Sequence, residues 1–177
     1  MAGSCDYEKY CREGDDEALE RIIREFRDGL ILYLRTFTGD IHTAEDIAED
    51  TFVKIAVKKP RYNGKASFKT WLYRIAGNMA IDHLRRRRES VPIDDCGELT
   101  LDDISLEESY IRDEERIAVH RALGKLPGDY RQILWLVYFE DMQVREAAAV
   151  MGRSVHAAET LIYRARRRMK EELEKVL

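Results

Sequence analysis

The chain has 177 residues, enough for one medium domain or two small ones, and a formal net charge of −4. That small total hides a segregation: residues 74–88 sum to +4, residues 153–170 to +5, and residues 89–115 between them to −10. The overall pI is therefore no guide to partners, and no apolar run approaches membrane-spanning length, since even Ile133–Phe139 soon meets Glu140 and Asp141.

Helical periodicity dominates, with no strand or βαβ pattern. A short helix around Tyr7–Arg12 precedes a long one over about 16–37 that buries Leu19, Ile22, Phe26, Leu30, Tyr33 and Phe37 and stops at Gly39. Thr43 reads as the N-cap of the next helix, with Asp46 three residues on and Ile47, Phe52 and Ile55 inward; Pro60 ends it. After the loop Arg61–Ala66, Ser67 caps a helix running to about Arg88, with Phe68, Leu72, Ile75 and Met79 on its apolar face. Residues 90 to about 110 lack sustained periodicity and carry no positive charge, which reads as a linker. Helices over about 114–123, 128–139 (after Pro127), 144–151 and 155–175 complete the chain. The expected fold is all-α: a helical domain over 1–89, an acidic linker over 90–112 and a second helical domain over 113–177.

Three stretches carry chemistry. In the helix ending at Arg88, Arg74, Asn78, Ile81, Arg85 and Arg88 share one stripe, joining an amide able to read a base edge to guanidiniums able to hold phosphates. Taken alone, four consecutive arginines fit a solvated helix end somewhat better than a reader, because cations favour the C-terminal end of the macrodipole. The second stretch, Gln143–Val155, places small residues at Ala147 and Ala148, a turn at Gly152 and a cap at Ser154. This is a helix-turn-helix pattern: the following helix buries Val155, Ala158 and Ile162 or Ala165. It presents His156, Ala157, Glu159, Thr160, Tyr163 and Arg164 toward a major groove, with a basic tail from Arg166 for phosphates. Third, Asp46, Glu49 and Asp50 lie at i, i+3 and i+4 on one face, a like-charge stripe that costs helix stability unless a basic partner relieves it.

Cys5, Cys11 and Cys96 are widely spaced, with no CxxC and no nearby His pair, which favours reduced thiols over a zinc site. The start of the chain lacks the apolar core of a signal peptide. No metal, cofactor or catalytic grouping is expected: GxxxxGK[ST], HExxH and nucleophile–base patterns are missing from the sequence. The expectation is a soluble, cytoplasmic protein without membrane insertion.

Taken together, Ala44–Phe52, Phe68–Arg86, Leu126–Leu134, the Gly152 turn and Tyr163–Arg168 resemble the extracytoplasmic function group of bacterial RNA polymerase sigma factors, in order and over nearly the whole chain. The resemblance implies a region 2 domain (1–89), which binds core polymerase and recognises and melts the −10 element, and a region 4 domain (113–177), which recognises the −35 element. It implies core-polymerase binding by Asp46, Glu49, Asp50 and Val53, docked on the clamp helices, with the last domain against the flap. It implies −10 contacts from Tyr62, Asn63, Lys65, Arg74, Asn78, Asp82, Arg85 and Arg86. Contacts to the −35 element would come from Arg153, Ser154, His156, Ala157, Glu159, Thr160, Tyr163, Arg164 and Arg167. In the aromatic-rich stretch, Phe68 and Trp71 read as core, and Tyr62 and Asn63 as the better candidates for a base pulled from the duplex. In related factors the linker threads the basic RNA-exit channel, a role open here to Asp94, Asp95, Glu98, Asp102, Asp103, Glu107 and Glu108; a solubilising tether is the other reading.

Glu159 departs from the basic residue of many relatives; it repels phosphate yet can accept from cytosine N4. The partners implied are core RNA polymerase, promoter DNA and a cognate anti-sigma factor. The competing function is a stand-alone helix-turn-helix regulator, which would bind paired half-sites without polymerase; an adaptor that binds only proteins is disfavoured by the arginine clusters.

Overall fold

A computed structural model describes residues 2–90 and 114–175, and within them eight α-helices in order. They are α1 (Ala2–Glu13), α2 (Asp16–Thr38), α3 (Ile41–Lys58), α4 (Phe68–Ser90), α5 (Glu114–Gly124), α6 (Gly128–Tyr138), α7 (Val144–Val150) and α8 (Val155–Glu174). The expectations for Cys96 and for the acidic residues from Asp94 to Glu108 lie outside the described residues.

Capping chemistry sets most of the boundaries. Asp15 accepts the Ala18 N–H at the start of α2, and Gly39, at φ 70°, returns its N–H to the Arg35 carbonyl at the end. The start of α3 corrects the sequence reading. Its N-cap is Asp40, whose carboxylate accepts the N–H groups of His42 and Thr43 and the Thr43 hydroxyl. Thr43 is thus a donor to the cap inside the first turn. Ser67 caps α4 as expected, accepting the Thr70 N–H at 3.1 Å.

The buried face of α4 also differs from the apolar spacing. Phe68, Leu72, Tyr73, Ala76 and Ala80 are buried, whereas Ile75 and Met79 are half-buried. The reason is that α4 is covered from several sides, by α2, α3 and, from the second half of the chain, α7. With α1 also against its first turn, a single apolar stripe does not describe a helix so surrounded.

The two helical groups pack together: α6 lies on α2, α7 lies on α4, and one apolar cluster runs through both. Glu140, between α6 and α7, reaches into this junction. Its carboxylate meets the Lys69 ammonium at 2.8 Å, accepts from the Tyr73 hydroxyl at 2.8 Å and from the Trp135 indole at 3.4 Å. Lys69 also donates to the Glu140 backbone carbonyl at 2.9 Å. Burial, then the Glu140 charge, pushes the Tyr73 phenol above its ordinary pKa, so it stays a donor. Arg131 on α6 is 6% exposed, and among the described residues its Nε and Nη1 have no hydrogen-bond partner. Burial lowers its pKa, a sign of the desolvation this packing imposes on a cation.

Candidate functional site

On α3, Ile47, Ala48, Thr51, Phe52 and Ile55 turn inward. Helical geometry then leaves Asp46, Glu49, Asp50 and Val53 outward, and all four are exposed. Val53 is 57% exposed and Val57, one turn on, 71%. Val57 was not anticipated; its signal was an apolar residue four beyond Val53 on a face the core does not use. The surface is an acidic patch continued by two bare valines.

On α4, Arg74, Asn78, Ile81, Arg85 and Arg88 are all exposed, so the stripe read from spacing exists as a surface. Arg86 is exposed as well, and half-buried Asp82 holds Arg85 at 3.2 Å one turn away. A cleft of about 440 Å³ separates the end of α4 from the start of α6; Phe37, Ile81 and Leu84 line its apolar part, and Arg85, Arg88 and Asp129 add charge.

The loop before α4 is more ordered than a run of exposed aromatics. Tyr62 is half-buried, its ring 5.7 Å from Phe68 and 5.3 Å from Trp71, and its hydroxyl donates to the Ala66 carbonyl at 2.6 Å. Asn63 and Lys65 are exposed, and the Asn63 side-chain oxygen accepts the Lys65 N–H at 3.0 Å. Phe68 is buried and Trp71 half-buried, in line with their reading as core. Much of Tyr62 is therefore committed to shaping the loop.

The helix-turn-helix forms from α7 and α8. Gly152 takes φ +64°, and Ser154 accepts the Ala157 N–H at 3.2 Å. Ala147 and Ala148 are fully covered beneath the buried Ala158, Leu161, Ile162 and Ala165 of α8, so small residues set a close crossing. Arg153, Ser154, His156, Glu159, Tyr163, Arg164 and Arg167 are exposed; Ala157 and Thr160 are half-buried, and the Thr160 hydroxyl donates to the His156 carbonyl at 3.0 Å. Val155, expected in the core, is 46% exposed, because the first residue of α8 precedes the turn that faces α7.

The basic tail is partly balanced. Arg153 lies 3.4 Å from Asp129, Arg167 3.6 Å from Glu171, and Arg168 3.1 Å from Glu171 and 3.0 Å from Glu172. Lys175, then the Arg168 charge, holds the Glu172 carboxyl below its ordinary pKa. Arg166 was named only as the start of the basic tail. Its guanidinium sits 5.4 Å from the ring centre of exposed Tyr138, beside the stacked Trp135–Phe139 pair. Among the described residues, no helix is long and apolar enough to cross a membrane.

Comparison with known proteins adds an independent line. The family models Sigma-70 region 2 and Sigma-70, region 4 match residues 22–90 and 116–169. The chain is 31% identical to the RNA polymerase sigma-H factor of Pseudomonas aeruginosa over 94% of its length and 91% of that protein. It is 26% identical to the ECF RNA polymerase sigma factor SigW of Bacillus subtilis over 93% and 94%. Its fold matches CnrH, solved in complex with the cytosolic domain of CnrY, with a TM-score of 0.71, 25% identity and 99% of both chains covered.

Proposed function

Because the chain belongs to the sigma-70 family, in its extracytoplasmic function group, and acts as a sigma factor, we propose that its exposed stripes divide the work of transcription initiation. As a sigma factor it directs core RNA polymerase to promoters and assists their opening. Bond making stays with the polymerase, and the chain works in the cytoplasm where transcription occurs. Its partners are core polymerase, promoter DNA and an anti-sigma factor, as for the fold relative RpoE, a sigma factor of Bartonella quintana solved in complex with the anti-sigma factor NepR.

Residues 1–89 form the region 2 unit, 90–112 the tether and 113–177 the region 4 unit. On α3, Asp46, Glu49 and Asp50 dock on basic clamp helices, where three like charges at close spacing are relieved, while Val53 buries apolar surface. On α4, Arg74, Arg85 and Arg86 hold phosphates and Asn78 reads a base at the fork, with Asp82 orienting Arg85. Asn63 and Lys65 meet a base drawn from the −10 element, with Tyr62 supporting them by its exposed edge. On α8, Arg153, Ser154, Arg164 and Arg167 hold the −35 backbone, while His156, Ala157, Glu159, Thr160 and Tyr163 face the bases.

The observation that carries this reading is the exposure of the Arg74–Asn78–Arg85 stripe on a helix whose first three turns are otherwise packed against its neighbours. Its test is Asn78→Ala in holoenzyme reconstituted with core polymerase. Promoter opening falls by about fivefold or more, as expected for losing a base-reading amide worth ~1–3 kcal/mol, and core binding is kept. Equal loss of both, or a purified chain that footprints palindromic duplex and never associates with core, overturns the assignment.

A further inference from the structure

The first helix lies outside the matched region 2 segment, yet it is fastened to the loop just discussed. Pro60 has no N–H, so the Ala56 carbonyl at the end of α3 lacks its ordinary i+4 partner. Tyr10 of α1 supplies the missing donor, its hydroxyl bonding that carbonyl at 3.1 Å. Tyr7, 2% exposed, donates to the Pro60 carbonyl at 2.8 Å, where the chain leaves the helix. Between these two anchors Lys59 takes the left-handed conformation (φ 45°, ψ 53°), unusual for a side-chain-bearing residue, with its ammonium 4.6 Å from the Tyr10 ring centre.

The same helix grips the other end of the loop. The Tyr7 ring lies 5.5 Å from Phe68 and 5.1 Å from Trp71, the two rings against which Tyr62 packs. At Gly3 a Cβ would come within 2.6 Å of Phe68, so α1 sits close against the start of α4. Asp6 pairs with Arg21 of α2 at 2.8 Å, fixing α1 to the bundle; that bond holds the Asp6 carboxyl below its ordinary pKa.

We propose that α1 determines promoter selectivity, with Tyr7 and Tyr10 as positioning residues. By donating to the Pro60 and Ala56 carbonyls, they set the path of residues 59–66 and hence which base Asn63 and Lys65 meet. The inference rests on the reading of that loop as a base-contacting element. It adds that part of the specificity is encoded on a helix that acts through the loop. The tyrosines act through two main-chain carbonyls and an aromatic contact, so their effect is on direction rather than on affinity for phosphate.

The test uses the full chain with core polymerase and a duplex library randomised across the −10 region, partitioned by open-complex formation. Tyr7→Phe, Tyr10→Phe and the double variant keep both rings and remove only the donors. The expected result is a changed base preference at one −10 position, by about fivefold for a hydrogen bond of ordinary net strength, with core binding kept and the melting temperature lowered by only a few degrees. Asn63→Ala is run beside them. If Asn63→Ala alters the preference and the tyrosine variants keep the native profile, the role of α1 is refuted while the loop reading stands. A uniform loss across all sequences also refutes it, since a merely structural tyrosine would act that way. If Asn63→Ala leaves the profile native, the loop reading itself fails and the α1 proposal falls with it.

Discussion

At Asp40 one carboxylate closes the first turn of α3, the helix that carries the acidic patch. The Thr43 hydroxyl and N–H hold its pKa below the ordinary carboxylate value. A depressed folded-state pKa contributes stability that is complete above the unfolded value of about 4 and is lost as pH falls through the folded value. Asp40→Ala should therefore cost about 1 kcal/mol at neutral pH, and the gap from the native protein should close in strong acid. Thermal melts of both proteins across the acid range check this; a gap independent of pH would mean that the carboxylate charge is not what caps the helix. Sequence left the choice between Asp40 and Thr43 open to error because both are good capping residues three apart. What decided it was that the backbone is still extended at Asp40 (φ −121°, ψ 131°) and already helical from Ile41.

The α7–α8 pair shows the same division at the scale of an element. The Gly152 turn and the Ser154 cap were legible because each rests on local chemistry: a left-handed backbone and an oxygen facing orphan amides. Which arginines are available for DNA was not legible, because Arg153 is paired across the fold with Asp129, 24 positions earlier. If α8 and its turn contact about four phosphates, the log–log dependence of −35 duplex binding on salt should have a slope of about −3.6. A flat response would exclude the basic tail as a phosphate site. Glu171 competes with phosphate for Arg167 and Arg168, so Glu171→Gln should tighten duplex binding several-fold at low salt, an effect that fades as salt rises. An equal gain at all salt concentrations would point to a change in helix packing instead.

Across the whole molecule, the junction at Glu140 joins the two halves. The carboxylate is nearly covered and is served by Lys69, Tyr73 and Trp135, so Glu140→Gln removes the charge while keeping the shape. Hydrogen bonds to a charged group are worth more than neutral ones, and the junction should weaken by about 2 kcal/mol. Helix–helix packing within each half does not depend on this carboxylate, so helix content should hold while the radius of gyration rises and Trp135 fluorescence shifts. An unchanged radius of gyration would show that apolar packing alone holds the halves together. Arg131 pulls the other way: its buried guanidinium, with two nitrogens unpartnered among the described residues, makes Arg131→Met a change expected to stabilise this packed arrangement.

The sequence by itself determined the all-α class, the order and approximate limits of the helices, and the existence of the acidic, arginine–asparagine and recognition-helix stripes. These depend on periodicity, capping residues, Gly and Pro, whose effects act over a turn or two of chain. Only the tertiary structure decided that Tyr62 is largely committed to its neighbours, that Val57 is bare and Val155 uncovered, and that α1 holds the loop from outside. It also decided that Glu140 is an anchor between halves. Those outcomes depend on which surfaces meet across tens of residues, and burial at such contacts is a property of the pair, which neither segment carries alone.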